Sequence, residues 1–113
     1  MSSELAEQHP AAGITVKCTL NPQYRLFILP PKKYTGINHS NVVIEFSVPF
    51  KPDNPSFQKL APKGIMVVGM LLMHPEVARV YLRKDRIGIL VRETTKWVDV
   101  ELNIINTIER EIL

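Results

Sequence analysis

The sequence is poor in cysteine and has no long hydrophobic run. Its one cysteine, Cys18, excludes an internal disulfide and any metal site that needs two thiolates of the same chain. The longest apolar run, residues 65–73, is far shorter than the roughly 20 residues of a transmembrane helix, so we expect it in the core. The first 12 residues are polar, contain Pro10 and lack the apolar stretch of a signal peptide. We therefore expect a cytoplasmic protein in a reducing compartment, without membrane association.

A catalytic or metal-binding pattern is also missing. His9, His39 and His74 have no short ligand spacing to one another or to Cys18. No serine, histidine and acidic arrangement suggests a nucleophile, and no glycine-rich loop leads into a helix with a phosphate-binding lysine. Cys18 falls on the apolar face of a predicted strand, where a free cysteine behaves as a small hydrophobe. The alternative for Cys18 is a thiolate ligand shared across a dimer. Because the structural explanation is the simpler one and no other reactive pattern is present, we predict a non-enzymatic chain without metal or cofactor.

Composition favours one folded domain with a modest basic excess. A hydrophobic fraction of 45% with 22% charged residues is typical of globular proteins, and 113 residues suffice for one core. The net charge of +3 permits an acidic partner without requiring one. Residues 1–13 have little apolar content and no period, which predicts a mobile tail. Residues 14–113 are then a single domain.

Alternation of apolar and polar residues predicts strands over residues 14–20 and 42–48. Between them, Asn21-Pro22 and Pro30-Pro31 bound a further extended segment over residues 24–29. Four prolines between residues 49 and 62 predict an irregular connection. Within it, Asn54-Pro55 combines a capping residue with a proline suited to a first helical position, so a single turn can begin there.

Residues 77–92 predict a β-hairpin with Lys84-Asp85 as a two-residue turn. Lys-Asp lacks the usual Asn-Gly turn chemistry, so a longer loop is the alternative. The register that brings apolar side chains face to face pairs Leu82 with Ile87, Val80 with Ile89, and Ala78 with Val91. The same register puts Tyr81 opposite Gly88, where the ring would cover the glycine.

Two helices complete the prediction. Residues 64–73 are apolar on every side and fit a buried strand or a buried helix; we choose a helix, ended by His74-Pro75. Thr94 or Thr95 is expected to cap a final helix. Its apolar side at helical spacing comprises Val98, Leu102, Ile105, Ile108 and Ile112, with Glu109 inside the same arc. The simplest arrangement is an α+β two-layer sandwich with both helices on one face of a mainly antiparallel sheet.

Two surfaces are candidates for binding a partner. One is the outer face of the hairpin, with a tyrosine among basic residues: Arg79, Tyr81, Arg83, Lys84, Arg86 and Arg92. Arginine engages carboxylates and phosphates and tyrosine can stack a base, but a solvated sheet face is the simpler explanation of the charge pattern. The other is an adaptable apolar surface on the first helix, made by Met66, Met70 and Met73, for which ordinary core packing is the alternative.

Several motifs resemble the N-terminal domain of the Nfu-type (NifU-like) iron–sulfur scaffold proteins. That domain opens with a strand carrying a Thr-Pro-Asn-Pro-Asn-x-x-Lys-Phe-like stretch, and this chain has Thr19, Asn21, Pro22 and Phe27 at the matching positions. Leu20 departs from it by replacing the first proline. The region over residues 32–63 is also longer than its counterpart in the family.

The second half of the resemblance lies in the hairpin and the last helix. In the family a helix ends in a Pro-Gly-Val-like step into a hairpin that reads Val-x-x-Val-Phe-x-x-x-Asp-Phe-Ile-Thr-Val. The matching segments here are Pro75-Glu76-Val77-Ala78-Arg79-Val80-Tyr81 and Asp85-Arg86-Ile87-Gly88-Ile89. A tryptophan opening the final helix is also usual, and Trp97 stands at that place.

The resemblance implies an accessory role in iron–sulfur cluster assembly. In the family a separate C-terminal domain carries the Cys-x-x-Cys pair that holds the cluster, and the present sequence has no such pair. We therefore expect a non-enzymatic interaction module whose partners are iron–sulfur assembly or client proteins. The alternative is a small basic nucleic-acid-binding domain that uses the arginines of the hairpin face, although Glu76, Asp85 and Glu93 dilute its charge.

Overall fold

The structure, a computed structural model, describes residues 6–9, 13–37, 43–51 and 53–113. Within these residues the chain forms six strands and two helices. The strands are β1 (Ala6–His9), β2 (Ile14–Cys18), β3 (Tyr24–Ile28), β4 (Ile44–Ser47), β5 (Val77–Leu82) and β6 (Arg86–Val91). The helices are α1 (Pro62–Leu72) and α2 (Trp97–Ile112).

All six strands form one antiparallel sheet in the order β1-β2-β3-β6-β5-β4. Both helices pack on the same face, where Phe27 of β3 contacts Trp97 of α2 with ring centroids 5.8 Å apart. Val80 and Ile89 point to this face from neighbouring strands and are fully buried in the same core as Leu71 of α1. The predicted α+β class, with a two-layer arrangement in one small compact domain, is therefore confirmed.

The predicted elements of the first half are confirmed with small changes at their ends. β2, β3 and β4 lie within the predicted strands, and Val42 lies outside the described residues. A 3₁₀ turn covers Pro55–Lys59, and the Asn54 side chain accepts a hydrogen bond from the Ser56 N–H at 2.9 Å. The segment predicted as a tail differs, because Ala6–His9 pairs with β2 as a strand. This strand is stabilised by pairing with β2, so it forms although the segment itself has no alternation of apolar and polar residues that would predict it.

The hairpin has the predicted two-residue turn at Lys84-Asp85, closed by a 3.0 Å hydrogen bond from the Arg83 N–H to the Arg86 carbonyl oxygen. Two of the three predicted apolar pairs, Leu82 with Ile87 and Val80 with Ile89, are confirmed. The third is wrong, because the register shifts between Val77 and Arg79 and Val91 pairs with Val77 instead of Ala78. A β-bulge adds one unpaired residue to a strand, and alternation alone does not reveal it.

The last helix begins later and faces differently than predicted. Its cap position is Lys96, without a side-chain hydrogen bond, because the Thr95 N–H bonds to the Arg92 carbonyl oxygen in a preceding turn. The predicted apolar side is wrong at two positions, since Val98 is 88% and Leu102 is 64% exposed. The buried side consists of Trp97, Val100, Ile104, Ile105, Thr107, Ile108 and Ile112. This rotation places Glu109 in solvent and removes the conflict noted in the sequence.

A strap formed by residues 35–37 joins the tip of the hairpin to the start of α1. The Thr35 N–H donates to the Lys84 carbonyl oxygen at 2.8 Å, and the Thr35 hydroxyl donates to the Arg83 carbonyl oxygen. On the other side, the Gly36 carbonyl oxygen accepts from the Ala61 N–H at 2.8 Å. Gly64 lies against this strap so closely that a Cβ there would be 2.8 Å from the Thr35 carbonyl oxygen.

We expect Gly64→Ala to lower the free energy of unfolding by about 1–3 kcal/mol, because the added methyl would collide with backbone that cannot move aside. The matched control is Gly69→Ala in the same helix. A Cβ at Gly69 would meet only the Phe50 ring, at 3.4 Å, an ordinary contact distance. Alanine in a helix interior then stabilises by up to about 1 kcal/mol. Urea denaturation of both variants measures the difference, and equal stabilities would contradict the close approach of the strap.

Candidate functional site

The face of the sheet opposite the helices is not covered by any described element. Because side chains alternate along each strand, one set of residues from β2 to β4 shares this outer face. At its centre are five half-buried side chains: Tyr24, Leu26, Ile28, Tyr81 and Leu90. Around them are the charged side chains Lys17, Glu45, Arg79, Arg83 and Arg86. The outer face is thus an aromatic and aliphatic strip with a mainly basic border.

Two tyrosines meet above the glycine of β6. The register of Tyr81 opposite Gly88 is confirmed, but the ring that covers Gly88 belongs to Tyr24 of β3. A Cβ on Gly88 would be 2.0 Å from the Tyr24 hydroxyl oxygen, so the absent side chain makes room for this ring. Tyr81 packs edge-on against Tyr24 with centroids 5.5 Å apart. The prediction that Tyr81 covers the glycine is therefore wrong, since Tyr24 already occupies that space.

Three of the predicted basic residues lie together on the outer face. Arg79 donates to the Glu45 carboxylate at 3.0 Å in an exposed pair between β5 and β4. The hydrogen bond with Tyr81 and the charge of Glu45 both raise the pKa of Arg79. Arg86 pairs with Asp85 at 3.1 Å, and Arg83 forms no ion pair with any residue of the described part of the chain. The charge of Arg83 acts instead on the hydroxyl of Tyr24.

The other two basic residues lie at opposite ends of the hairpin. Lys84 is in the turn, where its Nζ sits 4.9 Å from the centre of the Tyr34 ring. The Arg92 Nε donates to the Pro75 carbonyl oxygen at 2.8 Å, beyond the far end of β6. The structure therefore does not bring all the predicted residues into one patch.

The three methionines of the second predicted surface line one side of the first helix. Met66 is 54% exposed, and Met73, just after the helix, is 71% exposed. Met70 and Met73 border a shallow groove of about 340 Å³ against α2. The first helix is therefore only partly buried: its opposite side, including Val67, Val68 and Leu71, carries the core contacts. In the segment between β4 and α1, Phe50 lies against Gly69 and Leu60 lies against Gly64.

Residues with reactive side chains stay apart in the structure. The half-buried Cys18 lies opposite Arg25 on the helix-facing side of β2. The Thr107 hydroxyl donates to the Asn103 carbonyl oxygen, so the 2.9 Å contact with His74 Nε2 is a hydrogen bond given by the histidine. His39 lies outside the described residues. Across the described ranges, no three histidine, cysteine or acidic side chains are grouped to hold a metal ion.

Sequence reasoning missed three residues of the outer face: Tyr24, Leu26 and Ile28. They belong to β3, whose pairing with β6 joins segments that are some sixty residues apart, as in Leu26 opposite Gly88. An available signal was the alternation itself, since Phe27 is the inward residue and its neighbours must point outward. The alternation did not show that β6 is the strand that pairs with β3.

No family model, curated protein or solved structure matches this chain. No helix in the described part of the chain has both the length and the apolar character needed to span a membrane. The chemistry of the outer face must therefore be read from its own residues.

The position of Tyr24 predicts a pH dependence of stability. Burial raises the pKa of its hydroxyl above the ordinary value of 10.0, and the charge of Arg83 only partly opposes this. The unfolded chain then loses the proton first, so the free energy of unfolding falls as the pH rises through 10.0 and the folded-state pKa. Tyr24→Phe removes this part of the decline. Urea unfolding over that pH range tests it, and identical slopes for the two proteins would contradict the burial of Tyr24.

Proposed function

We propose that this chain is a non-enzymatic protein-interaction module that serves as an accessory in iron–sulfur cluster assembly and binds its partner through the outer face of the sheet. The observation that carries the binding part is the strip of Tyr24, Leu26, Tyr81 and Leu90 across the central strands. An aromatic and aliphatic centre with a polar border is the usual anatomy of a protein-binding surface.

The link to iron–sulfur assembly is supported by where the Nfu-like motif residues lie. The Thr19 hydroxyl donates to the Tyr24 carbonyl oxygen at 2.9 Å, and the Asn21 side chain accepts from the Gln23 N–H at 2.9 Å, so this motif forms the turn between β2 and β3. Pro75 lies between α1 and the hairpin, and Trp97 opens α2. The motif order thus coincides with a strand, a helix, a hairpin and a final helix, as the resemblance expects.

An accessory role is favoured because the described residues hold no cysteine besides Cys18. Cys18 faces the helix layer, in line with the buried Val16 of the same strand. We therefore expect purified protein, treated with iron and sulfide under reducing conditions, to retain no stable cluster after desalting. Absorbance and iron content measure this for the wild type and for Cys18→Ser. A cluster that is present in the wild type and lost in Cys18→Ser would overturn the accessory role.

A matched pair of leucine substitutions tests the binding face. We expect Leu90→Asp to reduce partner capture by at least about tenfold, because a carboxylate would replace an apolar side chain at the centre of the interface and lose its hydration there. Leu102→Asp is the control, since Leu102 is an exposed leucine of α2 on the other side of the molecule. The readout is quantitative mass spectrometry of proteins captured from the native cell by each tagged chain.

The proposal expects iron–sulfur assembly or client proteins among those that Leu90→Asp loses and Leu102→Asp keeps. Circular dichroism establishes that both variants are folded, and Leu26→Asp serves as a second variant of the same face. Equal capture by the wild type and both outer-face variants would contradict binding at this surface.

A nucleic-acid-binding domain is the second candidate, favoured by the two tyrosines beside arginines on an open antiparallel sheet. Sheets that bind RNA stack bases on aromatic side chains in this setting. Here, however, the Tyr24 ring lies over Gly88 with Tyr81 against it, and the guanidinium groups of Arg79 and Arg86 already pair with carboxylates. We place this candidate second for that reason.

A further inference from the structure

The outer face carries an unequal distribution of charge. Among the described side chains of its border, four are basic, Lys17, Arg79, Arg83 and Arg86, and one on the strands, Glu45, is acidic. Asp85, in the turn, neutralises Arg86 locally, and Glu45 neutralises Arg79. Within the described part of the chain, Lys17 and Arg83 form no ion pair, and they lie on opposite sides of the apolar strip.

Arg83 is held in place by its backbone. Its N–H is bonded to the Arg86 carbonyl oxygen at 3.0 Å in the hairpin turn, and its own carbonyl oxygen accepts the hydroxyl of Thr35. The base of the side chain is therefore fixed at the edge of the strip, two residues after Tyr81 and just beyond the end of β5. An arginine on a fixed backbone loses less conformational entropy when it binds a carboxylate with both of its terminal nitrogens.

The charge distribution favours one kind of binding partner for the outer face over two others. A second copy of the chain would bring the same basic border against itself, and like charges across an interface are unfavourable. A nucleic acid would need exposed ring faces for stacking, whereas the Tyr24 ring is committed to Gly88. A protein segment that alternates acidic and apolar side chains matches both the border and the strip.

We propose that the partner docks an acidic, amphipathic segment on the outer face, with its apolar side chains on Leu26 and Leu90 and a carboxylate on Arg83. This inference rests on the proposed function, because it specifies the chemistry of the partner for that same surface. It also assigns the recognition of charge to one arginine among the basic residues of the hairpin.

The test uses the full chain labelled with ¹⁵N and three synthetic peptides of equal length. In the first, leucine alternates with glutamate; in the second, leucine alternates with lysine; in the third, serine alternates with glutamate. We expect the first peptide to bind with saturable shifts of the amide signals of β3, β5 and β6, and the other two to bind at least about tenfold more weakly, because each lacks one half of the match.

Charge reversal separates this inference from the proposed function. Arg83→Glu is expected to weaken binding of the first peptide about tenfold, since it replaces an attractive pair by a repulsive one. Lys59→Glu is the control, because Lys59 is an exposed residue of the 3₁₀ turn and carries the same change of charge. Arg83→Lys keeps the charge and loses the planar fork, so we expect an intermediate affinity.

Each outcome has a definite consequence. No saturable binding of the first peptide, or equal effects of Arg83→Glu and Lys59→Glu, would overturn the acidic partner. If the cellular partner is lost with Leu90→Asp but retained with Arg83→Glu, the acidic partner is wrong and the interaction module stands. Tighter, salt-dependent binding of single-stranded DNA or RNA than of the first peptide would overturn it in favour of nucleic acid. Dimerisation in sedimentation that Arg83→Glu does not weaken would overturn it in favour of a second copy.

Discussion

Two helices can cover only one face of a six-stranded sheet, and this constraint determines what each strand presents to water. On the covered side, Phe27, Val80 and Ile89 are fully buried against the helices. On the other side, four of their neighbours along the same strands, Leu26, Ile28, Tyr81 and Leu90, are only half buried. An antiparallel sheet tolerates this arrangement when the outer side chains are polar or large enough to cover one another. Here both solutions are used, with arginines at the border and tyrosines at the centre.

The strap of residues 35–37 connects this surface to the helix layer. Thr35 is fully buried and bonds to the turn of the hairpin, while Gly36 bonds to Ala61, which immediately precedes α1. Because Gly64 has no side chain, the helix can approach the strap closely enough for these contacts to form. The tip of the hairpin is thereby fixed to the body of the domain. Arg83 extends from that fixed tip, so the fold stabilises the backbone from which the proposed recognition begins.

The Nfu-like motifs have structural explanations in this chain. Thr19 and Asn21 close a turn, Pro75 separates a helix from a strand, and Trp97 packs its ring on Phe27 with the Arg25 guanidinium 5.2 Å above it. Motifs of this kind specify a fold and leave its chemistry open, because function depends on the residues placed on the fold. The four matched residues, Thr19, Asn21, Pro22 and Phe27, do not lie on the outer face; only their neighbour Tyr24 does. The proposed role therefore depends on the residues of the outer face and not on the motif itself.

The sequence by itself determined the local features of this protein. Alternation located β2, β4 and the hairpin, flanking prolines bounded β3, and the register of apolar pairs placed the hairpin turn at Lys84-Asp85. Proline and asparagine marked the start of the 3₁₀ turn, and His74-Pro75 marked the end of α1. These features depend on period, on turn chemistry and on the missing N–H of proline, which act between residues close in the chain.

Only the tertiary structure decided which surfaces face one another. The bulge at Ala78 shifted the pairing at the end of the hairpin. The orientation of α2 placed Val98 and Leu102 in solvent, although helical spacing put both on the predicted apolar side. The covering of Gly88 by Tyr24 required the pairing of β3 with β6, which joins distant parts of the chain. Such choices follow from packing in three dimensions, where a helix offers several apolar arcs and a strand can take either neighbour. The local sequence fits all of these alternatives, and the burial of one common core selects among them.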